Sequence, residues 1–168
     1  DALSAFATGG ATTTAFRAII TDDSNVDITI NDNTGSLDAE NIAVIRDSDG
    51  VANKTSGTMT ITGHATAVTI TGTNAELVAS LITAKTKASI TTDGTKVTPN
   101  EAVTVAEADA LVGVSKVTGV FTNGLSDALS AFAASGATTT AFKAILADDA
   151  DVNITISDTT GTLDAENI

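Results

Sequence analysis

The 168 residues contain no cysteine, tryptophan or tyrosine, and proline and histidine occur once each, as Pro99 and His64. Without cysteine there is no disulfide scaffold and no thiolate chemistry, although the absence names no compartment. Five phenylalanines are the whole aromatic complement. The interior must therefore be built from Ala, Val, Ile and Leu, which suits thin stacked layers better than one deep core and leaves few aromatic anchors for a tight interface. Positive charge is also scarce: eight Lys and Arg against 21 Asp and Glu give a net charge of -13, which repels nucleic acid and anionic membrane surfaces. No apolar run approaches the roughly 20 residues of a membrane span. No leader peptide is visible either, and in an internal fragment that absence carries no meaning. His64, in the turn Gly63-His64-Ala65, has no nucleophile and base beside it, so the chain is not expected to be an enzyme.

What the sequence does have is a duplication. Residues 1–42 return as 127–168, with 31 of the 42 positions identical and a period of 126 residues. Changes are mostly conservative, such as Arg17 to Lys143 and Ile20 to Leu146. Self-similarity this close marks one structural unit copied in tandem. The expected organisation is one full period over 1–126 and the start of the next copy over 127–168, as a continuous rod without a flexible linker and as a window on a longer array.

Two rhythms alternate within the period. Val26, Ile28 and Ile30 alternate with polar residues, and Val152, Ile154 and Ile156 repeat the pattern; 58–62, 67–71, 88–91 and 102–105 follow it too. Alternation of this kind predicts short strands with one dry face. Thr73-Asn-Ala-Glu76 and Thr104-Val-Ala-Glu107 match capping boxes, the first followed by an apolar stripe at Leu77, Val78, Leu81 and Ile82. Leu129, Phe132 and Ala133, then Phe142, Ile145 and Leu146, predict two short helices broken at Gly136, and Leu37, Ile42 and Ile45 outline a weaker helix. Asp, Asn and Gly concentrate in 21–25, 31–35, 47–50 and 92–100, which read as exposed turns. Strands separated by helices of this length imply right-handed parallel crossovers. The expected fold is an α/β repeat solenoid of short parallel strands and short helices, with roughly four coils of about 25 to 40 residues per period. A β-helix or β-solenoid is the alternative.

Ligand chemistry is best sought in the acidic turns. Asp22, Asp23 and Asp27 cluster at one turn, Asp148, Asp149 and Asp151 at its copy, and Asp47, Asp49 and Gly50 form a DxDG tetrapeptide. Calcium takes several hard oxygens on a flexible turn, so these eight aspartates are the candidate metal ligands; calcium is the one possible cofactor, and no other is implied. Neither an EF-hand loop nor a glycine-rich nonapeptide calcium repeat is present. Plain solvated turns are the competing reading. In the second copy Asn25 becomes Asp151 while Asp27 becomes Asn153, a drift that loose shared coordination tolerates and a rigid cage does not, so any calcium effect is expected to be weak, cooperative and between rods. Thr58, Thr60 and Thr62, with Thr69, Thr71 and Thr73, could present a hydroxyl array, or serve simply as β-branched polar residues on a wet strand face. Asn53-Lys-Thr55 and Asn153-Ile-Thr155 match the short N-glycosylation pattern.

The duplicated block, the phrases TGTNAELVASLITA (71–84) and VTVAEADAL (103–111), and the Thr, Asp and Ala bias resemble the tandem-repeat tracts of giant bacterial cell-surface or secreted proteins, especially marine cyanobacterial ones. The resemblance implies an extracellular or cell-surface location and a structural or adhesive role, and carries over no functional residues. The expected function is a structural repeat segment of a fibre, surface layer or giant adhesin stalk. Its partners would be neighbouring repeats and other copies in a filament or layer. The alternative is an adhesion module using a Thr-rich or acidic face for ice, glycan or calcium. A cut through such a stack is expected to uncover Leu3, Phe6 and Phe16 at one end and Leu163 and Ile168 at the other.

Overall fold

The computed structural model describes residues 1–32, 34–46, 55–62, 68–83, 88–90 and 94–168. Among them the chain is mixed α/β, with seven short α-helices and several small sheets, most of them parallel. It begins with α1 (Leu3–Phe6), a hairpin of β1 (Ala7–Thr8) and β2 (Ala11–Thr12), α2 (Thr14–Asp22) and β3 (Ile28–Ile30). Next come β4 (Gly35–Asp38), α3 (Ala39–Ile45), β5 (Met59–Ile61), β6 (Val68–Gly72) and α4 (Asn74–Leu81). Then follow β7 (Ala88–Ile90), β8 (Thr95–Pro99), α5 (Val105–Val112), β9 (Val117–Gly119) and β10 (Leu125–Asp127). The opening series then recurs as α6 (Leu129–Phe132), β11 (Ala133–Ala134), β12 (Ala137–Thr138), α7 (Thr140–Asp148) and β13 (Ile154–Ile156).

The strands stack in parallel, each on one about thirty or fewer residues further along. Ile28 pairs with Met59 and Met59 with Ala88, so β3, β5 and β7 form one ladder. Leu37, Ile70 and Val97 align across β4, β6 and β8, and β9 adds to the edge through Thr95 and Val117. β10 carries β13, Leu125 opposite Ile154. Because the register never slips by one residue, the aliphatic member of each alternating pair stays inside: Ile30, Ile61, Ile70 and Val97 are all buried. The helices close the same core. Leu77, Ala108 and Leu111 are buried, α3 packs on α4, and α5 packs on α7.

Both capping boxes form. The Thr73 and Thr104 hydroxyls accept the N–H groups of Glu76 and Glu107 at 3.3 Å, and the two glutamates accept the Thr73 and Thr104 N–H groups at 2.7 and 2.8 Å. Thr13 and Thr139 cap α2 and α7 in the same way, without the glutamate.

The expected glycine break between two helices is a hairpin instead. Gly9 and Gly10, and Ser135 and Gly136 in the copy, all have positive φ, the two-residue turn that matches strand twist. Its arms are only two residues long, too short to leave an alternating pattern. Three further readings are corrected. Leu37 lies in β4, not in a helix; 95–99 is an internal strand, not an exposed turn; and 102–105 contributes only a bridge from Val103 to Leu125 before α5 begins. Pro99 is tolerated in β8 because β9 pairs only as far as Val97, which leaves an open edge on that side at Pro99, while the next N–H, of Asn100, bonds Gly72 O on β6. The turn expected at 47–50 lies outside the described residues.

The two copies share side-chain geometry as well as element order. Phe6 meets Phe16 edge-on at 5.5 Å, and Phe132 meets Phe142 edge-on at 5.1 Å. Thr13 donates its hydroxyl proton to Ala5 O at 2.8 Å, and Thr139 to Ala131 O at 2.6 Å.

Ile70 sits fully buried at the centre of the four-stranded sheet. Ile70→Ala is expected to cost about 2–5 kcal/mol, and Thr104→Ala, which removes only a cap, about 1 kcal/mol. Urea midpoints at constant slope are the measurement; equal effects would mean that the ladder is not the core.

Candidate functional site

Helices of four to nine residues leave their first N–H groups without intrahelical partners. Here the Thr caps satisfy the third N–H of a helix, and the first is reached from another coil. The Leu3 N–H, first in α1, donates to Asp32 Oδ2 at 2.6 Å, and Leu129, first in α6, donates to Asp158 Oδ2 at 2.6 Å. Asn74 N, first in α4, donates to Glu101 Oε1 at 2.9 Å. Val105 N, first in α5, donates to Asp127 Oδ2 at 3.1 Å. In each case the acceptor lies 22 to 29 residues further along the chain. A carboxylate there meets both an unpaired donor and the positive end of the helix dipole.

Loop N–H groups are satisfied the same way. Gly119 N donates to Asp148 Oδ2 at 2.9 Å and Phe121 N to Asp149 Oδ2 at 2.7 Å. Thr58 N donates to Asp27 Oδ1 at 2.6 Å. The turn glycines use amides, Gly10 N bonding Asn41 Oδ1 at 3.0 Å and Gly136 N bonding Asn167 Oδ1 at 2.9 Å. Gly119 has no room for a side chain, since a Cβ there would lie 2.7 Å from both Phe121 and Val112.

Of the eight aspartates that are candidate calcium ligands, Asp27, Asp148 and Asp149 thus hold backbone N–H groups 28 to 31 residues away. Asp23 accepts only the local Asn25 N–H, at 3.0 Å. Asp22 and Asp151 are exposed. Asp22 and Asp148 belong to the last turn of a helix rather than to the turn beyond it. Asp47 and Asp49 lie outside the described residues, as do Asn53 and His64. Among the described residues no three carboxylates or imidazoles come together around one point that could hold an ion.

The hydroxyls form partial rows. Thr29 and Thr60 are register partners, Ser36 aligns with Thr69, Lys96 and Thr118, and Asp38 with Thr71 and Thr98. Ser36 and Thr71 Oγ atoms are 2.7 Å apart. Lys96 and Asp38 interrupt the rows, so the array is not uniform. Arg46 ends α3 and is buried, which pushes its pKa down to about 10 and leaves it charged at neutral pH. A cation at this place opposes the negative end of the helix dipole.

Among the described residues no helix is long and apolar enough to cross a membrane. No family model, curated protein or solved structure matches the chain.

Replacing a remote cap should cost stability with no metal present. Glu101→Ala and Asp149→Ala are each expected to lower stability by about 1–2 kcal/mol, equally in calcium and in chelator. Calorimetric melts in both buffers read the effect; destabilisation in calcium alone would make these carboxylates metal ligands first.

Proposed function

We propose that this chain is a structural repeat segment of an extracellular fibre, surface layer or giant adhesin stalk, built as a solenoid that extends by addition of 126-residue periods. One observation carries the reading: side chains 29 to 31 residues on meet backbone N–H groups at matching positions of the two copies. Leu3 to Asp32 and Gly10 to Asn41 recur as Leu129 to Asp158 and Gly136 to Asn167. A unit stabilised by nearest neighbours lengthens without needing a larger core. The location follows from the resemblance to giant surface-protein tracts. The charge of -13 keeps such rods apart unless cations screen or bridge them.

The second reading, an adhesion module, draws on the hydroxyl rows at 36, 69 and 118 and at 71 and 98. Their interruption by Lys96 and Asp38 favours a wet strand face over a ligand lattice.

Chains of one, two and three full periods separate a rod from a closed domain. With strands about 4.8 Å apart and roughly four stacking steps per period, the long dimension is expected to grow by about 20 Å per period, as measured by small-angle scattering. A globular dependence of size on mass, or copies joined as loose beads, would overturn the solenoid. Binding to a glycan panel, or shaping of ice crystals, would favour the adhesion module.

A further inference from the structure

Identical residues of the two copies have opposite exposure. Ile154, Leu163 and Ile168 are 48%, 43% and 85% exposed, whereas their counterparts Ile28, Leu37 and Ile42 are at 5%, 3% and 0% under the coil that follows them. At the other face the order reverses: Ile19 of α2 is 50% exposed, and Ile145 of α7, which packs on α5, is fully buried. Leu3 and Phe16, expected at the uncovered end, are buried, Phe16 against the half-buried Phe6.

The polar groups beside Ile145 define what covers this face. Asp127 takes the first N–H of α5, Asp148 takes Gly119 N and Asp149 takes Phe121 N. The first copy carries the same three carboxylates as Asp1, Asp22 and Asp23, all exposed, and Asp23 holds only a local N–H. A cleft of about 240 Å³ lined by Asp1, Phe6, Phe16, Ile19, Val26 and Thr29 opens on the same side.

We infer that the face formed by Asp1, Ile19, Asp22 and Asp23 is a docking surface for one specific partner, a coil with the chemistry of residues 105–121, whose helix N-terminus and two loop N–H groups meet the three carboxylates while its helix covers Ile19. The inference rests on the repeat reading and adds the identity of the covering coil. Its support is continuity with an interface already made within the chain, where the same side chains, 126 residues on, hold that coil.

Placing a second copy of residues 95–126 directly ahead of Asp1 recreates the natural junction between Ser126 and Asp127 and leaves the full chain intact. Calorimetric Tm is compared for the parent and extended chains, each with and without Asp22→Ala, with Asp148→Ala as the control that breaks the same bond in the second copy. The extension is expected to raise Tm by about 5 °C in a single transition, and Asp22→Ala to lower the extended chain by about 3 °C more than the parent, while Asp148→Ala lowers both. An appended segment that melts separately, or an Asp22→Ala effect equal in the two chains, overturns the inference. So does a parent chain whose exposed face is taken by a second whole copy, seen as a concentration-dependent dimer that persists after extension. Growth of length with period number does not depend on which coil covers this face, so chains that lengthen normally while Asp22→Ala acts equally would sink this inference alone.

Discussion

Short helices have a shortage of partners at their N-termini, and in α1, α4, α5 and α6 a carboxylate from a distant part of the chain meets it. A helix of four or eight residues is marginal in water by itself, and its first N–H groups are unsatisfied inside any dry stack. Asp32, Glu101, Asp127 and Asp158 each meet the first N–H of a helix in the preceding coil. Beside these bonds the parallel ladders align Ile28 with Met59 and Leu37 with Ile70. Without the bond the helix frays, and without the helix the apolar side of the sheet is open to water.

The same arrangement changes the meaning of the acidic composition. Much of the surplus charge could be ascribed to solvated turns or to a metal, yet several of these carboxylates act as acceptors for backbone donors. A carboxylate is well suited to this because it has two oxygens and several lone pairs: Asp127 accepts Val105 N on one oxygen and Ala128 N on the other. Asp22 and Asp151 are exposed. Burial of Arg46 at the end of α3 places one cation against the opposite helix pole.

A core made from thin layers also explains the sparing use of aromatics. Phe6 with Phe16, and Phe132 with Phe142, meet edge to face where a helix turns back over its own hairpin, and Phe121 is buried singly beside Gly119. Elsewhere Ile, Val and Ala fill the narrow space between ladder and helix, where a larger ring would push neighbouring strands out of register.

The sequence by itself determined the features that act over a few residues. The tandem identity marked the 126-residue unit, Thr73 with Glu76 and Thr104 with Glu107 marked two helix starts, and the alternation at Ile28 and Ile30 or at Val68 and Ile70 marked dry strand faces. These signals are local: a capping box spans three residues and a strand face has a period of two. Only the tertiary structure decided that 95–99 is an internal strand, that Gly9-Gly10 and Ser135-Gly136 turn hairpins, and that Asp148 and Asp149 hold Gly119 and Phe121. The four residues that alternate in 95–98 are Thr, Lys, Val and Thr, too polar to stand out until β6 and β9 cover both edges. The acceptors lie 22 to 31 residues from their donors, and nothing in the chain links such positions until the fold brings each side-chain oxygen to its backbone N–H.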